Sequence, residues 1–236
     1  MKIPRAGTVA SRGSLTRTGA FGLAALVAVL ALGAWGVSAY REAQLNRAVT
    51  ALASDASQRL EAALALEDGA AGGGPQVVAG LDEQAQEVDK NVIALRDAGA
   101  SPNVALAAAA EDYLLTVRQI LRELAASHRY GNQVSASETA LREHMGTARR
   151  RTAAWLDEAM SGKERLEKSY FDYRVSVEAL ERLLAGYPTA RKKMAEQIKA
   201  PLLADEAAER ARARVLDASK RITQNVEQAR QLAAVR

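Results

Sequence analysis

Cysteine is absent from the 236-residue chain, so it holds neither a disulfide framework nor a thiolate site. Aromatic residues make up only 4% of a sequence that is 48% hydrophobic, which disfavours an aromatic-cored sheet protein and suits an alanine- and leucine-filled helical bundle. No stretch alternates apolar and polar residues with period two, so no half-buried strand is predicted. A Gly-x-Ser-x-Gly elbow, a Walker-type loop and a dinucleotide fingerprint are missing too. The glycine run at 72–74 lacks the Lys-Ser/Thr of a phosphate loop and reads as an inter-helix connection.

The chemistry-bearing residues that are present do not assemble into a catalytic pattern. His128 and His144 have no second histidine or cysteine at helical metal-ligand spacing, so no metal site is predicted. Glu111 and Asp112 occupy consecutive helix positions, which diverge, whereas acid–base carboxylates must converge across a cleft. No catalytic residue and no cofactor is expected, and the chain reads as non-enzymatic.

Charge is distributed unevenly. Of 32 basic and 28 acidic residues, Lys2, Arg5, Arg12 and Arg17 precede residue 41 with no acidic residue among them, so the remainder is formally neutral. The net charge of +4 therefore sits in the leading tail, and a basic nucleic-acid surface is not expected. The clusters Arg149-Arg150-Arg151, Arg191-Lys192-Lys193 and Arg210, Arg212, Arg214 have acidic neighbours, and pairing on solvated helix faces accounts for them. Their functional alternative is contact with anionic lipid or an acidic partner.

From Gly19 to Tyr40 the chain carries no charge. As a helix this stretch spans roughly 33 Å, enough for a hydrocarbon core of about 30 Å. Trp35 and Tyr40 lie near its far end and the four basic residues lie before it, which predicts a cytoplasmic tail and an exported C-terminal part. The alternative is a signal peptide cleaved after Ala39, since Val37-Ser38-Ala39 supplies small residues. The uncharged stretch is longer than the usual ~7–15-residue signal core. Alanine-rich, arginine-biased composition fits a high-GC bacterium, so the expectation is a single-pass protein of a bacterial inner membrane. Residues 1–18 form a cytoplasmic tail, 19–40 the transmembrane anchor in contact with the lipid bilayer, and 41–236 an exported domain.

Beyond the anchor, apolar residues recur at alternating steps of three and four, predicting an all-α fold. The transmembrane helix continues into an antiparallel multi-helix bundle with coiled-coil-like packing. A first helix runs through Leu45, Val49, Leu52, Ala56, Leu60 and Ala63 to near Glu67, and the Gly69–Pro75 run breaks it. A second covers about 76–97. Ser101-Pro102 opens a third as N-cap and first turn, and Arg129-Tyr-Gly-Asn-Gln133 reads as a connection. A fourth begins at Ser137. At Ser161-Gly162 two signals conflict, because the apolar repeat runs on to Leu184 while Ser161-Gly-Lys-Glu164 matches a capping box. Matching helix lengths favours a break there. Gly186-Tyr187-Pro188 is then a helix end, and Pro201 precedes a last helix near 202–234.

Tyr170, Phe171 and Tyr173, with Tyr187 beyond, form an aromatic group in an aromatic-poor chain. Core packing explains it, and Tyr170, Tyr173 and Tyr187 are also candidate partner or ligand contacts, since a tyrosine offers an apolar face and a hydroxyl. The leading functional expectation is an envelope protein that uses its bundle to bind a protein partner or itself as a homo-oligomer. In overall plan the layout also resembles the exported helical sensor domains of bacterial chemoreceptors, which implies a ligand-sensing bundle. It departs from them in having no second uncharged run of spanning length.

Overall fold

The computed structural model describes residues 40, 42–66, 74–97, 103–147, 152–198 and 200–234. Five helices pack against one another: α1 (42–66), α2 (Pro75–Asp97), α3 (Val104–Thr147), α4 (Ala153–Gln197) and α5 (Asp205–Ala234). The chain divides into two compact units, Met1–Leu45 and Asn46–Arg236, and the bundle belongs to the second. The expected tail, and the expected anchor apart from Tyr40, lie outside the described residues. Among the described residues no helix is long and apolar enough to cross a membrane.

The bundle forms because buried positions keep a heptad-like rhythm. In α1 they fall at Val49, Ala53, Ala56, Leu60 and Ala63, and in α2 at Leu81, Ala85, Val88 and Val92. In α3 the rhythm runs from Leu106 through Ala110, Tyr113, Val117, Ile120 and Leu124, and then on through Ser127, Gly131 and Val134. Such spacing keeps one face of each helix turned to its neighbours over many turns.

Polar pairs give the register. Asp55 accepts from Asn91 at 2.7 Å and Arg59 reaches Gln84 at 3.3 Å, so α1 and α2 are antiparallel. Burial acts on the Asp55 carboxyl to raise its pKa, but the Arg59 and Asn91 bonds outweigh it and the net shift is downward. Arg96–Glu111 at 3.1 Å and Arg129–Asp82 at 2.9 Å set α2 antiparallel to α3. Lys193–Asp112 at 3.0 Å near one end, and the stacked rings of His144 and Trp155 at the other, set α3 antiparallel to α4. Arg191–Asp205 and Arg230–Glu167 do the same for α4 and α5. The 191–193 and 210–214 clusters thus pair mainly across helices rather than within one, as with Arg212 and Glu181 at 3.1 Å, although Arg212 also reaches Glu209 one turn away. Arg149-Arg150-Arg151 lies outside the described residues.

Two expected breaks at a glycine inside a helix pattern are overturned, and both for one reason. The segment 129–133 is not a connection but the middle of the 44-residue α3, which ends at Thr147, and α4 begins at Ala153. Gly131 is buried there, and a Cβ on it would sit 3.5 Å from Ile222 Cδ1 and from Tyr173 Cε2. Ser161-Gly162 likewise lies inside α4, where a Cβ on Gly162 would meet Leu141 Cδ1 at 3.3 Å. Each glycine provides a close approach between helices and not a break. The length argument for a break fails because α3 and α4 are both long, 44 and 45 residues, and pair with each other.

The ends differ from expectation as well. Ser101 and Pro102 lie outside the described residues, and Asn103 caps α3 by accepting from the Leu106 amide at 3.0 Å. Thr152 caps α4, its hydroxyl accepting from the Trp155 amide at 3.2 Å. Gly186-Tyr187-Pro188 does not end a helix, since α4 passes through Pro188 to Gln197. The final helix begins at Asp205, after a non-helical stretch whose Leu202 and Leu203 are buried.

A buried polar knot joins four elements at the other side of Pro188. Tyr187 donates its hydroxyl to the Leu203 carbonyl at 2.9 Å, and the Leu203 amide donates to Ser57 Oγ at 2.6 Å. The hydroxyls of Tyr113 and Tyr187 lie 3.5 Å apart, with ring centroids 6.1 Å apart. Burial raises the pKa of both phenols, so both stay protonated and able to donate.

Candidate functional site

A groove between α3 and α5 has Gly131 in its lining. Helices α3 and α5 both lie on α4 and run parallel to each other, as the pairs Gly131–Ile222 and Arg142–Gln228 show. Between the two walls lies this groove of about 590 Å³, floored by Tyr173 and Val177 of α4. That volume lies within the roughly 300–1,000 Å³ usual for small-molecule sites. The α3 wall carries Ser127, His128, Asn132 and Ser135. The α5 wall carries Arg214, Val215, Ala218, Arg221, Ile222 and Asn225. No aspartate or glutamate is among the described residues that line the groove.

The apolar and polar parts are segregated. Val177, Val215 and Ile222 face the groove from its floor and the base of the α5 wall, while Arg221 reaches its rim and pairs with Asp217 at 3.2 Å. Both partners of that pair are about 70% exposed, at 71% and 67%. Tyr173 is buried, and burial pushes its phenol pKa up to about 12, against the opposing effect of a hydrogen bond with Ser219. It therefore stays a neutral donor across the physiological range.

The three tyrosines singled out by sequence do not come together. Tyr173 lines the groove. Tyr170 sits one turn away on the α4/α5 seam, donating to Thr223 Oγ1 at 2.9 Å beneath the Arg230 guanidinium, which lies 5.3 Å from its ring centroid. Tyr187 belongs to the buried knot described above. His128 lines the groove, whereas His144 closes the α3–α4 turn, its ring stacked on Trp155 at 5.0 Å. Among the described residues no three His, Asp or Glu side chains come together as a metal site. Sequence reasoning missed Asn132, Arg221 and Asn225. The available signal was their spacing, since His128–Asn132 and Arg221–Asn225 are polar pairs one turn apart, set beside the buried stripes of α3 and α5.

Beside the groove, Arg230 makes hydrogen bonds to both Glu167 oxygens, at 2.8 and 2.5 Å, and these bonds hold the Glu167 carboxyl below its usual range. A depressed folded pKa contributes stability that is present above the unfolded value of about 4.3 and is lost as pH falls through the folded value. Both side chains are about one-third exposed, at 34% and 38%, so the pair is worth no more than about 1 kcal/mol. Glu167→Gln is expected to be less stable than the wild type at neutral pH, and urea titrations should show the difference vanishing toward about pH 3.

Comparison with known protein families, with curated proteins and with solved structures finds no match in any of the three.

Proposed function

We propose that the chain is a membrane-anchored, non-enzymatic recognition module that takes a small molecule in the α3/α5 groove and hands the signal to a protein partner. The observation that carries this reading is the groove itself, an apolar floor bordered by polar side chains from two parallel helices. The uncharged run 19–40, with basic residues before it, supports a single-pass anchor in a bacterial inner membrane with 41–236 exported. With such a topology the occupied groove communicates through a bound partner.

The test is a thermal-shift screen of small molecules on the full chain in lipid nanodiscs, in parallel with Gly131→Leu. Gly131→Ala is expected to keep the groove, because its Cβ meets its neighbours at ordinary contact distance, whereas leucine fills it. The expected result is a compound that raises the midpoint of the wild type and of Gly131→Ala but not of Gly131→Leu. A compound that shifts all three equally binds elsewhere and overturns the reading.

A second reading, a purely protein-binding assembly module, is favoured by the outward face of α4. There Leu156, Met160, Phe171 and Val175 are exposed, Phe171 at 67%, and they share one helical stripe. Crosslinking from intact membranes that captures a stable partner through this stripe, with no ligand shift, selects the second reading over the first.

A further inference from the structure

Glu164 and Lys168 are exposed on the outward face of α4, and among the described residues neither is held in an ion pair, although they stand one turn apart on the same helix. Their neighbours are answered within the chain. Arg174 bonds Glu178 at 2.9 Å, and Glu167 on the flank of the face is held by Arg230. Glu164 and Lys168 lie two residues either side of Leu166, and the apolar residues of this face keep nearly the same centre. Leu156 and Met160 stand ten and six residues before Leu166, Phe171 and Val175 five and nine after it. At 3.6 residues per turn all six positions fall within about one-third of the helix circumference. The four apolar ones are 48–67% exposed.

We infer that this face pairs with the same face of a second copy of the chain, the two α4 helices lying antiparallel and meeting at the level of Leu166. The inference rests on the outward face of α4 being a protein-binding surface and adds that its occupant is the chain itself. A two-fold pair presents one patch to itself, so the patch must be its own complement. Turned antiparallel about Leu166, this one is. Glu164 of each copy falls opposite Lys168 of the other, Phe171 within one residue of Met160, and Val175 within one residue of Leu156. Two ion pairs then sit at the centre, between two apolar patches that each have a Phe171 ring as anchor. Parallel pairing sets Glu164 on Glu164 and Lys168 on Lys168, and like charges brought into contact repel. One helix laid on another buries less than a standard interface, so the dimer is weak in free solution and gains from any tether that raises the local concentration. Two anchored copies in one bilayer satisfy the same symmetry when the axis stands along the membrane normal.

Because the chain has no cysteine, introduced ones read the register directly. In the full chain in lipid vesicles, oxidation is expected to crosslink Glu164→Cys chains to Lys168→Cys chains several-fold more than either variant to itself. Like positions are four residues apart along the antiparallel pair, roughly 6 Å of rise added to the gap between helices, which takes them out of disulfide reach. Stronger crosslinking of each variant to itself means a parallel pair and overturns the inference. Energy transfer between copies labelled at the C-terminus measures the affinity. Glu164→Lys or Lys168→Glu alone should weaken it by on the order of tenfold, since each reversal sets like charges together twice, and the two reversals combined should restore it. Both sites are exposed, so circular dichroism should show the same helix content in all three variants. Phe171→Ser should weaken pairing as well. Energy transfer that neither single reversal changes overturns the inference, because the copies are then held elsewhere. No dimer at all, while a different protein crosslinks through Phe171 in intact membranes, leaves the α4 face a protein-binding surface and overturns self-pairing alone. Loss of both outcomes overturns the two together.

Discussion

Tyr187→Ala is expected to destabilise the bundle by about 3–5 kcal/mol, the range for truncating a fully buried aromatic side chain. The ring is completely buried between Tyr113 of α3 and the segment that leads into α5, and its loss opens a cavity that two 44- and 45-residue helices cannot close without shifting along their whole contact. The hydroxyl adds a second cost. Its removal leaves the Leu203 carbonyl without its donor, and the Leu203 amide is held by Ser57 of α1, so the loss reaches the contact between α1 and the approach to α5. Tyr187→Phe separates the two effects, since it keeps the ring and removes only the hydroxyl, and should cost about 1–3 kcal/mol. Guanidinium denaturation of the two variants measures both, and hydrogen exchange should show increased opening at residues 200–204 in each. An alanine variant within about 1 kcal/mol of the wild type would mean that the knot is not a stability centre.

The all-helical class was legible because leucine, valine and alanine recur at three-and-four spacing along the chain. The helix boundaries were not. At 129–133 and at 161–162 glycine reads as punctuation in the sequence, although the buried rhythm passes straight through Ser127, Gly131 and Val134. The rhythm is one of position, and a small residue keeps its place in it when the neighbouring helix comes close enough to fill the missing volume. Ile222 and Tyr173 do so at Gly131, and Leu141 does so at Gly162. A single sequence does not reveal that approach, because it depends on which helices become neighbours. The candidate site was half legible for a related reason. Tyr173 stood out as an aromatic in a chain with few, but its partners Arg221 and Asn225 come from α5, roughly fifty residues downstream, and look like ordinary solvated positions until α3 and α5 lie side by side. Tyr187 was equally conspicuous, and the structure uses it to close the core.

Pro188 presents the opposite case, a helix breaker that the fold overrides, and its replacement by alanine is expected to raise stability by about 2 kcal/mol. Proline in a helix interior has no N–H to give the carbonyl four residues earlier, here that of Leu184, and its ring crowds that carbonyl, at an intrinsic cost of about 3 kcal/mol relative to alanine. Part of the gain is returned, because proline also restricts the unfolded chain by about 0.4–1 kcal/mol. The helix persists through this position because the residues on either side are committed to the core. Leu184, Tyr187 and Ala190 are all buried, and terminating α4 at Ala185 would strip Tyr187 and Met194 from their contacts. The denaturation midpoint of Pro188→Ala should therefore rise with no change in slope. A fall in stability would assign Pro188 a different job, that of bending α4 so that Tyr187 meets Leu203, and in that event Pro188→Ala and Tyr187→Phe should no longer add, since both would act on the same hydrogen bond.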